Sequence, residues 1–160
     1  MKRIARFEKV SVEQYMKDTD APDTYDFIQL PKRATKGSAG YDLITPKSFI
    51  LRPGESTKIA TGLRVKIDEG WVLFVLPKSG LGIRYRFQLD NTCGVIDSDY
   101  YYADNEGHII ITMTNDSKTD KVLEVVQGKA FAQAIFLPYG ITEDDEAEGV
   151  RKGGFGSTGV

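Results

Sequence analysis

Asp97 and Asp99, two residues apart in "CGVIDSDYYYADNEG", stand between an apolar stretch and three consecutive tyrosines. In an extended strand such a pair projects to one face, which suits metal binding or a division of labour between an acid that polarises water and one that supports it. The competing reading is a strand end with two solvated turn acids. Tyr100 follows at once and offers an aromatic surface for a sugar ring, while Tyr101 and Tyr102 read as cover for core or interface. Upstream, "PKSGLG" (residues 77 to 82) follows the apolar run Trp71 to Leu76, where a strand opens into a turn. There Lys78 supplies a point charge, Ser79 a hydroxyl and Gly80 close backbone approach, which together suit a phosphate. A plain Ser-Gly turn has the same composition, and no Walker pattern is present. Asp42 in "SAGYDLIT" interrupts an apolar strand signal. It reads either as an outward strand position or as a carboxylate holding magnesium through water, because a hard cation on phosphates takes only one or two protein carboxylates. Gln133 in "AFAQAIFLP" also breaks an apolar strand; facing a cleft, its amide would donate to a phosphate oxygen.

The elements that must position these residues are strands. From about residue 48 to 137 the apolar pattern has period two, as in "TKIATGLRVKI", "IRYRFQL", "HIIITMT" and "KAFAQAIFL". Turn chemistry in "RPGES", "DEGW", "DNEGH" and "TNDSK" separates them, which predicts an all-β sandwich or barrel. Helix is minor: Ser11 and Gln14 have capping-box spacing at the start of "SVEQYMKD", enough for one or two turns. The length favours one domain. A body over residues 1–142 is followed by an arm over 143–160, with an acidic run from Glu143 to Glu148 and five glycines after it. By composition such a segment reads as a solvated, disordered tail unless something binds it, and against the plain tail stand Arg151 and Phe155, which one meant only for solubility would not need.

Composition narrows the partners. A formal net charge of −2 with interspersed signs leaves no basic footprint for duplex nucleic acid. One cysteine, Cys93, and one histidine make neither a disulfide nor a zinc cluster, so a cytoplasmic, zinc-free protein is expected. The N-terminus has no apolar stretch behind its charges, and "WVLFVL" is far short of the ~20 residues a spanning helix needs, so no membrane role is expected.

In order along the chain, "AGYDL", "PKSGLG", "GVIDSDY", "AFAQAIF" and "GGFGSTG" resemble the five motifs of the trimeric dUTPase family, over residues 39 to 159. The third and fifth are the most specific. The resemblance implies an all-β, jelly-roll-like distorted barrel that forms a homotrimer, with active sites at subunit interfaces and the C-terminal arm closing over dUTP. It implies Mg²⁺-assisted hydrolysis of dUTP to dUMP and pyrophosphate, limiting uracil in DNA and supplying dUMP for dTMP synthesis. It assigns Asp97 to the water that attacks the α-phosphorus, Tyr100 to deoxyribose, Asn91 to uracil, and backbone around Gly94, Val95, Ile96 and Ile110 to imitating a pairing base. Lys78, Ser79, Gly80, Gln133, Arg151 and Ser157 would meet phosphates, Gly156 and Thr158 would complete the arm's contacts, and Phe155 would stack on uracil. Asp42 would be linked to the magnesium ion.

The chain departs from the family pattern in several places. Lys78 and Ala130 stand where arginines are usual, and Arg151 lies one residue nearer Phe155 than in many relatives. "YYADNEG" adds residues after the third motif, and this 101–107 insertion is where a regulatory protein partner would be sought. Two rival readings share the fold: dCTP deaminase, including bifunctional forms, and a dUTP-sensing regulator. The arm motif and the absence of the deaminase serine-arginine motif favour the hydrolase.

Overall fold

Alternating apolar and polar residues favour strands whose inner faces meet in one core, and the computed structural model, which describes residues 2–153, has this form. Twelve strands among the described residues pair antiparallel throughout. The sheet that carries most of the flagged residues contains β2 (Lys32–Arg33), β3 (Tyr41–Ile44), β7 (Trp71–Pro77), β9 (Gly94–Ile96) and β12 (Ala130–Pro138), in the order β2-β3-β12-β7-β9. A second sheet orders β5 (Ser56–Ala60), β10 (Ile110–Asn115) and β8 (Phe87–Leu89) as β5-β10-β8. Two pairs complete the set: β1 (Ala5–Lys9) with β6 (Leu63–Ile67), and β4 (Phe49–Leu51) with β11 (Leu123–Val125).

The core lies between the sheets. Leu43, Leu73, Val75, Ile96 and Ala134 of the five-stranded sheet meet Ile59, Leu89, Ile111 and Met113 of the other, all buried. Period two holds where it was expected: in β6, Leu63, Val65 and Ile67 are buried while Arg64 and Lys66 are not. The same alternation turns Phe74, Leu76, Ile135, Leu137 and Val95 to the outer face of the five-stranded sheet. They pair or neighbour one another there, and Leu137 and Val95 remain 40% and 47% exposed. A row of apolar side chains on an outward face is unusual for a strand surface that meets only water.

The short helix α1 (Val12–Asp18) begins as its spacing predicts, with the Ser11 hydroxyl accepting from the Gln14 amide. At "PKSGLG" the structure differs from the expected simple turn. Residues Ser79–Tyr85 form a second short helix, α2, with Lys78 at its N-cap in an extended conformation. Two glycines weaken the helix signal in the sequence, and packing of Leu81 and Tyr85 against the core outweighs that propensity.

The third motif also differs locally from its expectation. β9 stops at Ile96, Asp97 caps a 3-10 turn over Ser98–Tyr102, and Asp97 and Asp99 are therefore not two positions of one extended strand.

The inserted residues fold back on the body. Tyr101 donates to Glu8 (2.7 Å), its carbonyl accepts from Arg64 (2.7 Å), and the Arg64 guanidinium sits 3.7 Å from the Tyr101 ring centroid. Glu106 accepts from both the amide (2.8 Å) and the hydroxyl (2.6 Å) of Ser11, which holds its carboxyl below the usual carboxylate range. The insertion thus clamps the start of α1. No helix among the described residues is long and apolar enough to cross a membrane.

Candidate active site

The candidate residues fall into two groups, one running along β9 from its Gly94–Val75 pair to Asp97 and one at the Pro77 end of β7. The first surrounds a cavity of about 470 Å³ where the two sheets part. β9 pairs with β7, and β10 pairs with β5 and, at its far end, with β8, so β9 and β10 have a gap between them rather than a ladder. Gly94, Ile96, Asn91 and Ile110 line that gap, with Val75, Leu89 and Ile109 as apolar walls. Hydrogen bonding along β10 fixes its direction: the Ile109 carbonyl accepts from Thr61 on the β5 side, while the Thr112 carbonyl accepts from Asp90 on the other side. Alternation then turns the backbone N–H and C=O of Ile110 away from β5 and toward the gap. Val95 points its side chain to the outer face, and only its backbone belongs to the cavity strand.

Asn91 is held in a tight loop, with the Thr92 amide bonded to the Leu89 carbonyl (2.9 Å) and the Cys93 amide to the Asn91 carbonyl (2.8 Å). Thr92 adopts φ +72°, a left-handed conformation costly for a β-branched residue. Lys58, Asp90 and Thr112 also line the cavity, and none of the three stands in a motif of the sequence. Asp90 flanks Asn91 in the sequence, but nothing local marks Lys58 or Thr112, which arrive from other strands.

Asp97 and Tyr100 lie at the end of β9. The Tyr100 ring is buried; its hydroxyl donates to the His108 carbonyl (2.7 Å) and accepts from the Asn105 amide (2.8 Å). Burial pushes its phenol pKa up, so the ring is a neutral, fixed surface at neutral pH. Asp97 is reached by the arm: Arg151 places Nη2 2.5 Å from Asp97 and Nε 2.9 Å from Asp99.

The second group gathers at the Pro77 end of β7. Asp42 on β3 lies opposite Gln133 on β12, whose other neighbour is Leu76 on β7. Lys78 donates to Asp42 at 2.6 Å, and the Gln133 amide donates to the Pro77 carbonyl at 3.1 Å. Ser79 and Gly80 open α2 beside them, both exposed. These residues make a half-exposed polar cluster in which one carboxylate, one ammonium, an amide and a hydroxyl share a strand-to-helix corner.

Asp97 and Lys78 do not meet within one chain. Asp97 is one residue past the Ile96–Leu73 pair, whereas Lys78 follows Pro77 at the other end of β7. At ~3.3 Å per strand residue they stand roughly 20 Å apart. Between them runs the outer apolar face of the sheet.

Of the remaining assigned residues, Phe155, Gly156, Ser157 and Thr158 lie outside the described residues. No cluster of three or more acidic, histidine or cysteine side chains suited to a metal ion occurs among the described residues.

Comparisons with known proteins point one way. A protein-family model described as dUTPase matches residues 26–159. The deoxyuridine 5'-triphosphate nucleotidohydrolase of Lactococcus lactis subsp. lactis is 39% identical over 136 residues, spanning 83% of this chain and 89% of the relative. A crystal structure of a dUTPase from Streptococcus mutans superposes with a TM-score of 0.67 at 31% identity, covering 86% of this chain and 98% of that one. A mutant dUTPase from phage phi11 of S. aureus, solved with a structural Mg(II) ion, shares the fold at a TM-score of 0.66 and 19% identity. That match covers 92% of this chain and 98% of the phage protein.

Proposed function

The chain belongs to the dUTPase family, and on that premise we propose that it hydrolyses dUTP to dUMP and pyrophosphate, removing a precursor of uracil in DNA and supplying dUMP for dTMP synthesis. The observation that carries this reading is the cavity between β9 and β10, whose lining includes Asn91, Gly94, Ile110 and Ile96, the residue before Asp97. Its volume lies in the range of about 300–1,000 Å³ usual for small-ligand sites.

Uracil enters the gap between the strands, where backbone groups of Gly94, Val95, Ile96 and Ile110 imitate a pairing base and Asn91 adds an amide contact. A strand edge with alternate N–H and C=O groups is a pattern a pyrimidine's imide edge can complete. Tyr100 packs under deoxyribose. Its hydroxyl is committed to the His108 carbonyl, so the ring cannot swing aside for a ribose 2′-hydroxyl.

Hydrolysis at phosphorus asks little covalent chemistry of a protein; positioning and charge neutralisation do most of it. Asp97 orients a water for in-line attack on the α-phosphorus and accepts its proton. Lys78, Ser79, Gly80 and Gln133 hold phosphate oxygens, with Arg151 joining from the arm. Lys78 acts there as a point charge, without the planar fork of the arginine usual at this place. Gly156, Ser157 and Thr158 close on the phosphates, and Phe155 on the base, so that bulk water is excluded. The division into a body over 1–142 and an arm over 143–160 follows from that role.

The donor set fits magnesium held through the nucleotide. Asp42 is a single, partly exposed carboxylate, and a Mg²⁺ that keeps its waters and takes phosphate oxygens needs no more from the protein. When bound, Mg²⁺ would neutralise charge on the triphosphate; Asp42 would hold it through water while Lys78 supports the same phosphates.

The roughly 20 Å between Asp97 and Lys78 makes one chain insufficient. A homotrimer resolves this by pairing the Asp97 end of one subunit with the Lys78 end of the next. The outer row of Phe74, Leu76, Val95, Ile135 and Leu137 supplies apolar area for such contact. A regulatory partner at the insertion would meet Tyr102 and Asp104, its exposed members.

The test is incubation with dUTP, dCTP, dTTP and UTP while following pyrophosphate and ammonia. Pyrophosphate from dUTP alone is expected. Ammonia from dCTP would replace this reading with deamination, and an inert protein would remove it.

A further inference from the structure

Residues 137–150 are all exposed, and Arg151 is the first side chain of the arm to be sheltered, at 19% exposure. What shelters it is the pair Asp97 and Asp99, each accepting from a different nitrogen of the guanidinium. The Arg151 side chain also lies 5.9 Å from the Tyr100 ring centroid, and the Asp104 amide donates to the Lys152 carbonyl at 3.2 Å. The exposed stretch that follows the Tyr139 amide bond to the Gly70 carbonyl therefore returns to the body on these two carboxylates.

This arrangement has a chemical consequence for Asp97. The guanidinium engages one Asp97 oxygen, Oδ2, in a charge-assisted hydrogen bond, while the other oxygen lies outside that contact and the side chain stays 44% exposed, so the arginine takes up part of the carboxylate without covering it. Asp99 has no part in the proposed hydrolysis, yet it binds Nε of the same guanidinium.

Resting on the dUTP-hydrolysis reading, we infer that Asp99 is a positioning residue that docks the arm: in the nucleotide-free protein it holds Arg151 beside Asp97, and substrate phosphates draw Arg151 away. The trigger is competition between anions. Two carboxylates bearing one negative charge each hold Arg151 in the absence of substrate; a triphosphate offers more charge and more acceptor oxygens to the same planar fork. Arm transfer and release of the Asp97 oxygen bonded to Arg151 are then one event, tied to the arrival of phosphates. The docked arginine also offsets one of the two negative charges that would otherwise repel the incoming triphosphate.

The full-length protein tests this without nucleotide, by trypsin digestion with mass spectrometry of scission after Arg151 and Lys152. Asp99→Asn keeps the side-chain volume at an exposed position and removes the charge; Asp99→Glu keeps the charge. Loss of one largely exposed ion pair should speed scission about two- to fivefold in Asp99→Asn. Asp99→Glu should remain near wild type. In dUTP turnover, Asp99→Asn should lower KM by a similar factor while kcat stays within about twofold, because only the competitor for Arg151 has been weakened. Scission at the wild-type rate in Asp99→Asn, or a fall in kcat at constant KM, would overturn the inference. If Asp99→Asn fails to fold, wild type in about 0.5 M salt gives the same comparison: screening should expose the arm, and unchanged scission contradicts docking. Wild-type protein that turns over no dUTP would defeat the hydrolase reading, while the nucleotide-free digestion would still decide whether Asp99 docks the arm.

Discussion

His108 and Asp18 are joined by a 2.6 Å contact between Nδ1 and a carboxylate oxygen, although 90 residues separate them in the chain. The other ring nitrogen, Nε2, accepts the Gly62 amide at 2.9 Å. That acceptor role requires a neutral ring with its proton on Nδ1, directed at Asp18.

This geometry predicts acid sensitivity. Burial lowers the His108 pKa below its ordinary 6.5, outweighing the opposing hydrogen bond and charge of Asp18 and the charge of Glu106; Lys58 acts in the same direction as burial. For a pKa depressed on folding, the stabilisation is fully present above the unfolded value and is lost as pH falls toward the folded one. Thermal melting should therefore be level above about pH 7 and decline from about pH 6.5 downward. His108→Gln, at the chain's only histidine, should melt lower at pH 7.5 but lose less on going to pH 5.5. A parallel decline in both proteins would show that another group governs acid stability.

Gly107 is predicted to be irreplaceable for packing reasons. It has φ +70°, and a Cβ there would lie 2.6 Å from the Tyr100 carbonyl oxygen and 2.8 Å from the Tyr101 Cα, both backbone atoms that cannot rotate aside. Gly107→Ala should cost about 2 kcal/mol or more and, by displacing Tyr100, lower kcat/KM for dUTP. Denaturant unfolding and kinetics check it; unchanged stability would mean the insertion is looser than its contacts indicate.

Asp97→Asn should retain dUTP binding, measured by calorimetry, while turnover drops by roughly 10²-fold or more, a typical general-base contribution. Full activity in that variant would move the base elsewhere.

The split of the site along β7 predicts complementation. Asp97→Asn and Ser79→Ala proteins, each weak alone, should regain activity when unfolded and refolded together. The expected yield is about a quarter of the wild-type rate, the share of interfaces that combine two intact halves under random mixing. No recovery beyond the sum of the two would argue that each site is built within a single chain.

What was legible in the sequence follows physical range. Strands were readable because alternation is local: β6 and β10 bury every second residue as their patterns indicate. The cap at Ser11 was readable from Gln14 three residues on, but its second partner, Glu106, lies 95 residues away and no local signal connects them. "PKSGLG" was misread as a turn because two glycines mask a helix that packing of Leu81 and Tyr85 sustains. Asp97 and Asp99 were expected to share a face through strand geometry. They converge instead through a 3-10 turn and a shared arginine from the arm. Motif order marked the residues of the site, but the separation of Asp97 from Lys78 along β7 emerges only from strand register.

The most direct test of the central claim is turnover of dUTP in ¹⁸O-labelled water with mass analysis of both products. Water oriented by Asp97 onto the α-phosphorus predicts one labelled oxygen in dUMP and none in pyrophosphate. Label in pyrophosphate would place the attack at the β-phosphorus and contradict the assigned geometry, and absence of turnover would contradict the function itself.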